Sequence, residues 1–268
     1  MPSTDKISQE VINNGFSKVQ NWLSQEDQDK ITNIILKKKP TKGSSESTAC
    51  LSFKSVILNL IQFKYEKILS SLFLSDLSKK LQLKETAEKI FAAKAKLTNI
   101  DYYFSDKSFE PVLDWHCDNA YSGKKDVKTY LSPDDFSIKF FFYLTNVYPD
   151  NGCLSYISKS NKVTYALRKG IYEEKITYSP YWRLIDLRNK IKEKETLDYI
   201  KNFVTKEDID DFLNQANYVI SNNYKTDKYD QTINKGGAIV FDESGIHRGS
   251  ATKYSTRLAL RFFFKKVI

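Results

Sequence analysis

At about residue 94 the chain changes its period. Before that point apolar residues recur at helical spacing. After it come short runs rich in β-branched and aromatic residues: KLTNIDYYF (96–104), FSIKFFFYLTNV (136–147), CLSYIS (153–158), GAIVFD (237–242) and RLALRFFFKKV (257–267). Each has the length and composition of a strand. YPDNG at 148–152 punctuates two of them as a turn. A long charged stretch, 163–218, interrupts the series, and its core SPYWRLIDLRNKIKEKETLDYIKNFVTKEDIDDFLNQA reads as helical. A helical first third followed by β-rich runs places the chain in the α+β class. The expected organisation is one domain over 1–268. Residues 1–95 are mainly helical, 96–162 and 219–268 form the β core, and 163–218 is a helical insertion and candidate cap over a binding mouth.

Within the first third, Phe16–Leu23 is strand-like. Ser24 followed by Asp27 resembles a capping box that opens a helix through about Lys38. KGSSESTAC has loop composition. Over 53–92 helical periodicity returns, and Val56, Leu60, Phe63, Ile68 and Leu72 are spaced as one apolar stripe, expected to pack into the core.

Composition narrows the class further. With 41% hydrophobic and 14% aromatic residues, a packed core is affordable and disorder is excluded as the overall state. The polar opening MPSTDKISQE has no apolar signal region, and SVILNLIQF is too short for a membrane span. Cys50, Cys117 and Cys153 are too far apart for a disulfide framework or cysteine-rich zinc site, so a reducing cytoplasm is the expected home. The net charge of +9 comes from scattered lysine, with only six arginines, none before Arg168. Nucleic-acid binding would gain from clustered cations and a base-reading motif, and neither is visible. Instead, Arg248, Arg257 and Arg261 crowd within fifteen residues of the second of only two histidines.

Those histidines are His116, in DWHCD, and His247, in GIHRGSATKYSTRLALR. His116 and Asp118 are one residue apart, so in an extended chain both leave from the same face while Cys117 points away. An imidazole and a carboxylate converging in this way, with a distant second imidazole, match the 2-His-1-carboxylate triad of non-haem Fe(II) oxygenases. Imidazole suits borderline metals, one carboxylate offsets half the Fe(II) charge, and three sites stay open. Ten residues after His247, alternation puts Arg257, Ala259 and Arg261 on one strand face and Leu258, Leu260 and Phe262 on the other. An inward arginine would need an anionic partner. A dicarboxylate would supply one through a two-pronged bond. A protein carboxylate is the alternative, and is the expected partner of Arg261.

In order along the chain, NNGFSKVQNWLSQEDQDKI, DWHCD, FFFYLTNVYPDNGCLSYISKSNK and GGAIVFDESGIHRGSATKYSTRLALRF resemble the phytanoyl-CoA dioxygenase (PhyH-like) family of Fe(II)/2-oxoglutarate oxygenases. They cover about half the chain; 163–218 is not covered. The resemblance implies a double-stranded β-helix (a cupin-like jelly roll) with N-terminal helices packed on it. It implies Fe(II) as metal, 2-oxoglutarate as co-substrate, dioxygen, and oxidation of a small or medium metabolite with release of succinate. Carried over by position, His116, Asp118 and His247 are the metal ligands and Arg257 holds the remote carboxylate of 2-oxoglutarate. Ser250, three residues past the distal histidine where the family often has a nearer serine, and Asn99 or Tyr102 are further co-substrate candidates. SKSNK departs from the family in lacking Pro-Gly and in having Asn161 where histidine is common. Related halogenases lack the carboxylate that Asp118 supplies, so hydroxylation or a related oxidation is expected. Trp115, Asn119, Tyr121 and Trp182 are candidates for the substrate pocket. A jelly-roll protein that binds a ligand without turnover, and a basic nucleic-acid-binding module, are the competing readings. Succinate formation would separate the first, and steep salt dependence of binding the second.

Overall fold

The computed structural model describes residues 2–37, 45–47, 51–111, 113–118, 132–224 and 228–267. Helix α1 (Thr4–Asn14) leads into β1 (Phe16–Val19) and α2 (Gln25–Leu36). The expected cap of α2 is present: Ser24 Oγ accepts from the Asp27 backbone N–H at 3.1 Å and donates to the Asp27 carboxylate at 2.7 Å. After β2 (Ser45–Ser47), the region of returning helical periodicity forms three helices, α3 (Phe53–Ile61), α4 (Tyr65–Lys80) and α5 (Leu83–Phe91). They are separated at Phe63 and Gln82, both with positive φ.

The β-rich runs become β3 (Ala95–Ser105), β5 (Ser137–Tyr143), β6 (Leu154–Tyr156), β7 (Ala238–Asp242) and β9 (Arg257–Lys266). Two short strands that the composition did not mark, β4 (Leu113–His116) and β8 (His247–Gly249), carry the two histidines. Helices α6 (Ser160–Tyr172), α7 (Leu184–Lys192), α8 (Lys194–Ile200) and α9 (Lys206–Ser221) fill the gap between β6 and β7.

All pairings within the sheets are antiparallel. One sheet has the order β1-β7-β5-β9-β3-β2 and the other β4-β8-β6, so from β3 to β9 the chain alternates strictly between the two. The alternation read from RLALRFFF sorts the faces of the larger sheet. Leu258, Leu260, Phe262 and Phe264 join Ile100, Tyr102, Phe140 and Phe142 in a core shared with α1, α2, α4 and α5. The opposite face turns Tyr143, Ile239, Phe241 and Ala259 toward Leu154 and Tyr156 of the smaller sheet. The outer face of the smaller sheet supplies Trp115, Cys117, Ile157 and Ile246 to a third core, built largely by α6, α7 and α9. The order is therefore helices, sheet, sheet, helices, with the two sheets enclosing an interior.

One expectation is overturned. The stripe Val56–Leu60–Phe63–Ile68–Leu72 is not core: Leu60, Phe63 and Leu72 are exposed. Its spacing is helical, but the chain breaks at Phe63, so the stripe does not continue along one helix. The insertion packs as a wall on the outer face of the smaller sheet. Only Tyr181–Arg183 run along the ligand-bearing strand, where the Cys117 N–H donates to the Trp182 carbonyl at 2.9 Å.

Candidate metal centre

The two histidines face each other across a strand pair. His116 and His247 are register partners of β4 and β8, with ring centroids 4.6 Å apart. Each ring is aimed by its own backbone: His116 Nδ1 lies 2.6 Å from the Asp114 carbonyl and His247 Nδ1 lies 2.9 Å from the Gly245 carbonyl. A carbonyl can only accept, so Nδ1 carries the proton in both rings and Nε2 presents its lone pair. Asp118 stands opposite, with Oδ1 3.5 Å from His116 Nε2 and Oδ2 3.6 Å from His247 Nε2. One donor atom from each of the three lies within 4.8 Å of the others. Three acceptors facing one another repel unless a proton or cation sits between them. That donor set fits a divalent metal.

The geometry depends on the turn between β7 and β8. Asp242 Oδ1 accepts from the Ser244 N–H at 2.9 Å and the Ser244 hydroxyl at 2.6 Å, and the Gly245 N–H donates to the Asp242 carbonyl at 3.2 Å. A Cβ at Gly245 would lie 1.8 Å from Tyr156 Oη, so only glycine fits where the carbonyl must hold His247. The Ser160 hydroxyl closes the far side, accepting from the Ile246 N–H at 2.7 Å.

Electrostatics keep the donors in their ligand forms. Burial pushes the pKa of His247 down to about 3, against the pull of Asp118, so the ring is neutral at neutral pH. Burial alone would raise the Asp118 carboxyl, but Lys139, His116 and His247 hold it well below the usual range. Lys139 was not anticipated. It extends from β5, donates to Asp118 Oδ2, and lies 2.9 Å from Glu243 Oε2. Glu243 is fixed in turn, its Oε1 accepting from the Ser137 N–H at 2.8 Å. Burial opposes the Lys139 charge, yet the Glu243 and Asp118 carboxylates raise its pKa, so it stays an ammonium. The signal was in the sequence: in FSIKFFFY the lysine shares its face with Phe141 and Tyr143, inside the sheet.

Arg257 lies at the start of β9, facing the interior. Its Nη1 donates to the Gly152 carbonyl at 2.7 Å and its Nη2 to Ser105 Oγ at 2.9 Å, while the buried Nε has no partner. Among the described residues no carboxylate pairs with this guanidinium, and burial lowers its pKa. Arg261, two turns of the pleat further on, takes the expected protein carboxylate: Nε and Nη2 grip Asp101 at 2.6 and 2.7 Å. The Tyr103 ring lies against both cations, 5.2 Å from Arg257 and 4.8 Å from Arg261.

The remaining candidates divide. Asn99 shares the inner face of β3 with Asp101, to which its amide donates at 3.3 Å. Tyr102 is one residue out of phase and is buried in the core beneath the N-terminal helices; Tyr103 is the tyrosine that faces inward. Ser250 is buried beside Cys153, Oγ to Sγ 3.3 Å. Trp115, next to His116, necessarily points the other way. It is buried among the insertion helices with the Arg248 guanidinium 5.1 Å from its ring, so it is a packing residue and not part of a substrate pocket. Trp182 packs partly against the same core. Asn119 and Tyr121 lie outside the described residues.

Two facing antiparallel sheets that enclose a His-Asp-His cluster define a protein built around a 2-His-1-carboxylate centre. The profile of the phytanoyl-CoA dioxygenase (PhyH) family matches residues 13–258, and the chain belongs to that family. No curated protein matches it by sequence. Among solved structures it resembles the epimerase SnoN in complex with Fe3+, alpha ketoglutarate and nogalamycin RO (TM-score 0.55, 9% identity, covering 98% of this chain and 83% of that one). It also resembles the non-haem alpha ketoglutarate dependent carbocyclase SnoK from nogalamycin biosynthesis (0.55, 10%, 99% and 86%). A third is HygX from Streptomyces hygroscopicus with nickel and 2-oxoglutarate bound (0.53, 12%, 100% and 88%). At these identities the likeness is one of fold.

Proposed function

We propose that the protein is an Fe(II)/2-oxoglutarate-dependent oxygenase that oxidises, by hydroxylation, a small or medium metabolite. The strict alternation of strands between two facing sheets supports reading the fold as a double-stranded β-helix. The observation that carries the functional reading is the paired geometry of β4 and β8. It brings Nε2 of His116, Nε2 of His247 and the Asp118 carboxylate to one point, with both Nδ1 atoms already satisfied by backbone carbonyls.

His116, Asp118 and His247 would hold the iron. Bound there with 2-oxoglutarate, iron supplies the activation of dioxygen for oxidising a substrate C–H bond. The protein's own contribution is positional and electrostatic. Arg257 offers a buried, carboxylate-free guanidinium to the remote carboxylate of the co-substrate. Burial makes that contact strong, because the guanidinium has shed its water in advance. Lys139 keeps Asp118 ionised, and it bridges Asp118 and Glu243 so that the two carboxylates do not stand uncompensated. Neighbours of similar fold are named as an epimerase and a carbocyclase, and the presence of Asp118 supports hydroxylation over halogenation here.

The test has a binding arm and a turnover arm. Anaerobic addition of Fe(II) and 2-oxoglutarate to the wild-type chain should give a visible charge-transfer absorption, and air should then yield succinate. His116→Ala should lose both while keeping its circular dichroism, and Arg257→Ala should lose 2-oxoglutarate affinity but retain the metal. A wild-type chain that binds no divalent metal, or makes no succinate from 2-oxoglutarate, would falsify the reading.

A further inference from the structure

We infer that the α3–α4 hairpin is a docking surface for an anionic lipid bilayer. Of twenty-one large apolar side chains exposed among the described residues, ten fall between residues 51 and 72. Scattered exposed apolar residues need no explanation, whereas a contiguous patch marks an interaction site. Helix α3 is turned inside out: its one buried residue is Asn59, while Phe53, Leu58 and Ile61 face solvent. Phe53 is 79%, Ile61 68% and Phe63 77% exposed.

The tip of the hairpin gives an independent reason. The Phe63 N–H donates to the Leu60 carbonyl at 3.0 Å and the Lys64 N–H to the Asn59 carbonyl at 2.8 Å. This pair of bonds is a Schellman motif, and Phe63 (φ 54°) occupies the left-handed position where glycine is usual. A β-carbon is disfavoured there, and an exposed aromatic ring gains nothing from folding. Non-glycine residues close other helices in the same way, as at Ala92 and Glu174, so what sets Phe63 apart is an exposed aromatic ring at the tip.

Charge selects the partner. Lys54 and Lys64 are exposed within the patch and Lys67 is half-exposed, against the single acid Glu66. A second copy of the chain would set these lysines, and a net charge of +9, against their equals. Apolar and aromatic side chains interleaved with lysines are what an anionic membrane surface binds: the rings enter the interface and the ammonium groups stay at headgroup level. Among the described residues no helix is long and apolar enough to cross a membrane, and the attachment inferred here is peripheral.

The experiment is vesicle co-sedimentation of the full chain. At low salt it should pellet with phosphatidylcholine–phosphatidylserine vesicles and do so about tenfold less with phosphatidylcholine alone or in high salt. Phe63→Gly and Ile61→Ser should each weaken pelleting about tenfold without lowering the melting temperature. His116→Ala should pellet like wild type, since this surface is independent of the metal site. Failure to pellet with the anionic vesicles, equal pelleting on phosphatidylcholine alone, or binding that survives both substitutions would overturn the inference. So would a solution dimer that the same substitutions dissociate.

Discussion

Lys139 places a cation beside a carboxylate that is expected to hold a divalent metal, and two effects of that lysine oppose each other. It orients Asp118 through Oδ2, and it adds a positive charge where another must enter. The backbone decides between them: the Asp118 N–H already donates to the Glu243 carbonyl at 3.0 Å, so the ligand keeps its place without the ammonium. Charge then dominates. Lys139→Met should tighten binding of Ni(II) or Co(II), and Glu243→Gln should weaken it about tenfold, as read by titration calorimetry. Equal losses in both variants would show that orientation prevails. At this scale the sequence spoke clearly wherever alternation could be applied. His116, Asp118, Arg257 and Arg261 fall on the expected faces because i and i+2 share a side. Tyr102 and Trp115 were misplaced by proximity, since adjacent residues in a strand point apart. Lys139 was overlooked because one lysine among thirty-six carries no motif.

The turn joining β7 to β8 is the element on which the distal histidine depends, and it holds a group that titrates unusually. Burial raises the pKa of the Asp242 carboxyl to about 6, against hydrogen bonds from Ser244 and Asn161 that lower it and with Glu243 raising it further. An acid whose pKa rises from 3.8 to about 6 on folding holds its proton more tightly in the native state. Its stabilising contribution is complete below the unfolded value and is lost as pH climbs through about 6, an effect on the order of 3 kcal/mol. Asp242→Asn should remove that decline, because the new amide can still accept from Ser244. The new amide N–H takes the place of Oδ2, which now accepts from the Asn161 amide, so the Asn161 side chain turns over to offer its unpartnered Oδ1. Urea denaturation of both proteins from pH 4 to 7 measures the difference; parallel profiles would reject the assignment. Element boundaries were legible where caps or β-branched runs announced them, as at Ser24 and over 257–267. The short strands β4 and β8 were not, since three or four residues carry too little periodicity and are made strands by each other.

For the molecule as a whole, the metal would be a cross-link. His116 and Asp118 belong to the chain before the helical insertion and His247 to the chain after it, so one ion closes a loop of more than a hundred residues. Bound at a hundred times its dissociation constant, Ni(II) should add about 2.7 kcal/mol to stability, and none in His116→Ala, as read by thermal denaturation with and without chelator. The layered plan of helices, sheet, sheet and helices could be anticipated only in part. Periodicity located the insertion, but which surface it covers is set by Trp115, Cys117, Ile157 and Ile246, and these read as ordinary strand residues until the partner helices are in place.

Strand β4 thus answers to two masters. The side chains that alternate inward are answerable to coordination chemistry, and their neighbours Trp115 and Cys117 to the shape of the helical wall behind them. A lineage that remodels the insertion must refit those outward residues and can leave His116 and Asp118 unchanged. The wall can diverge freely while the reactive centre stands still, and divergence in this chain is expected to concentrate one residue to either side of what does the chemistry.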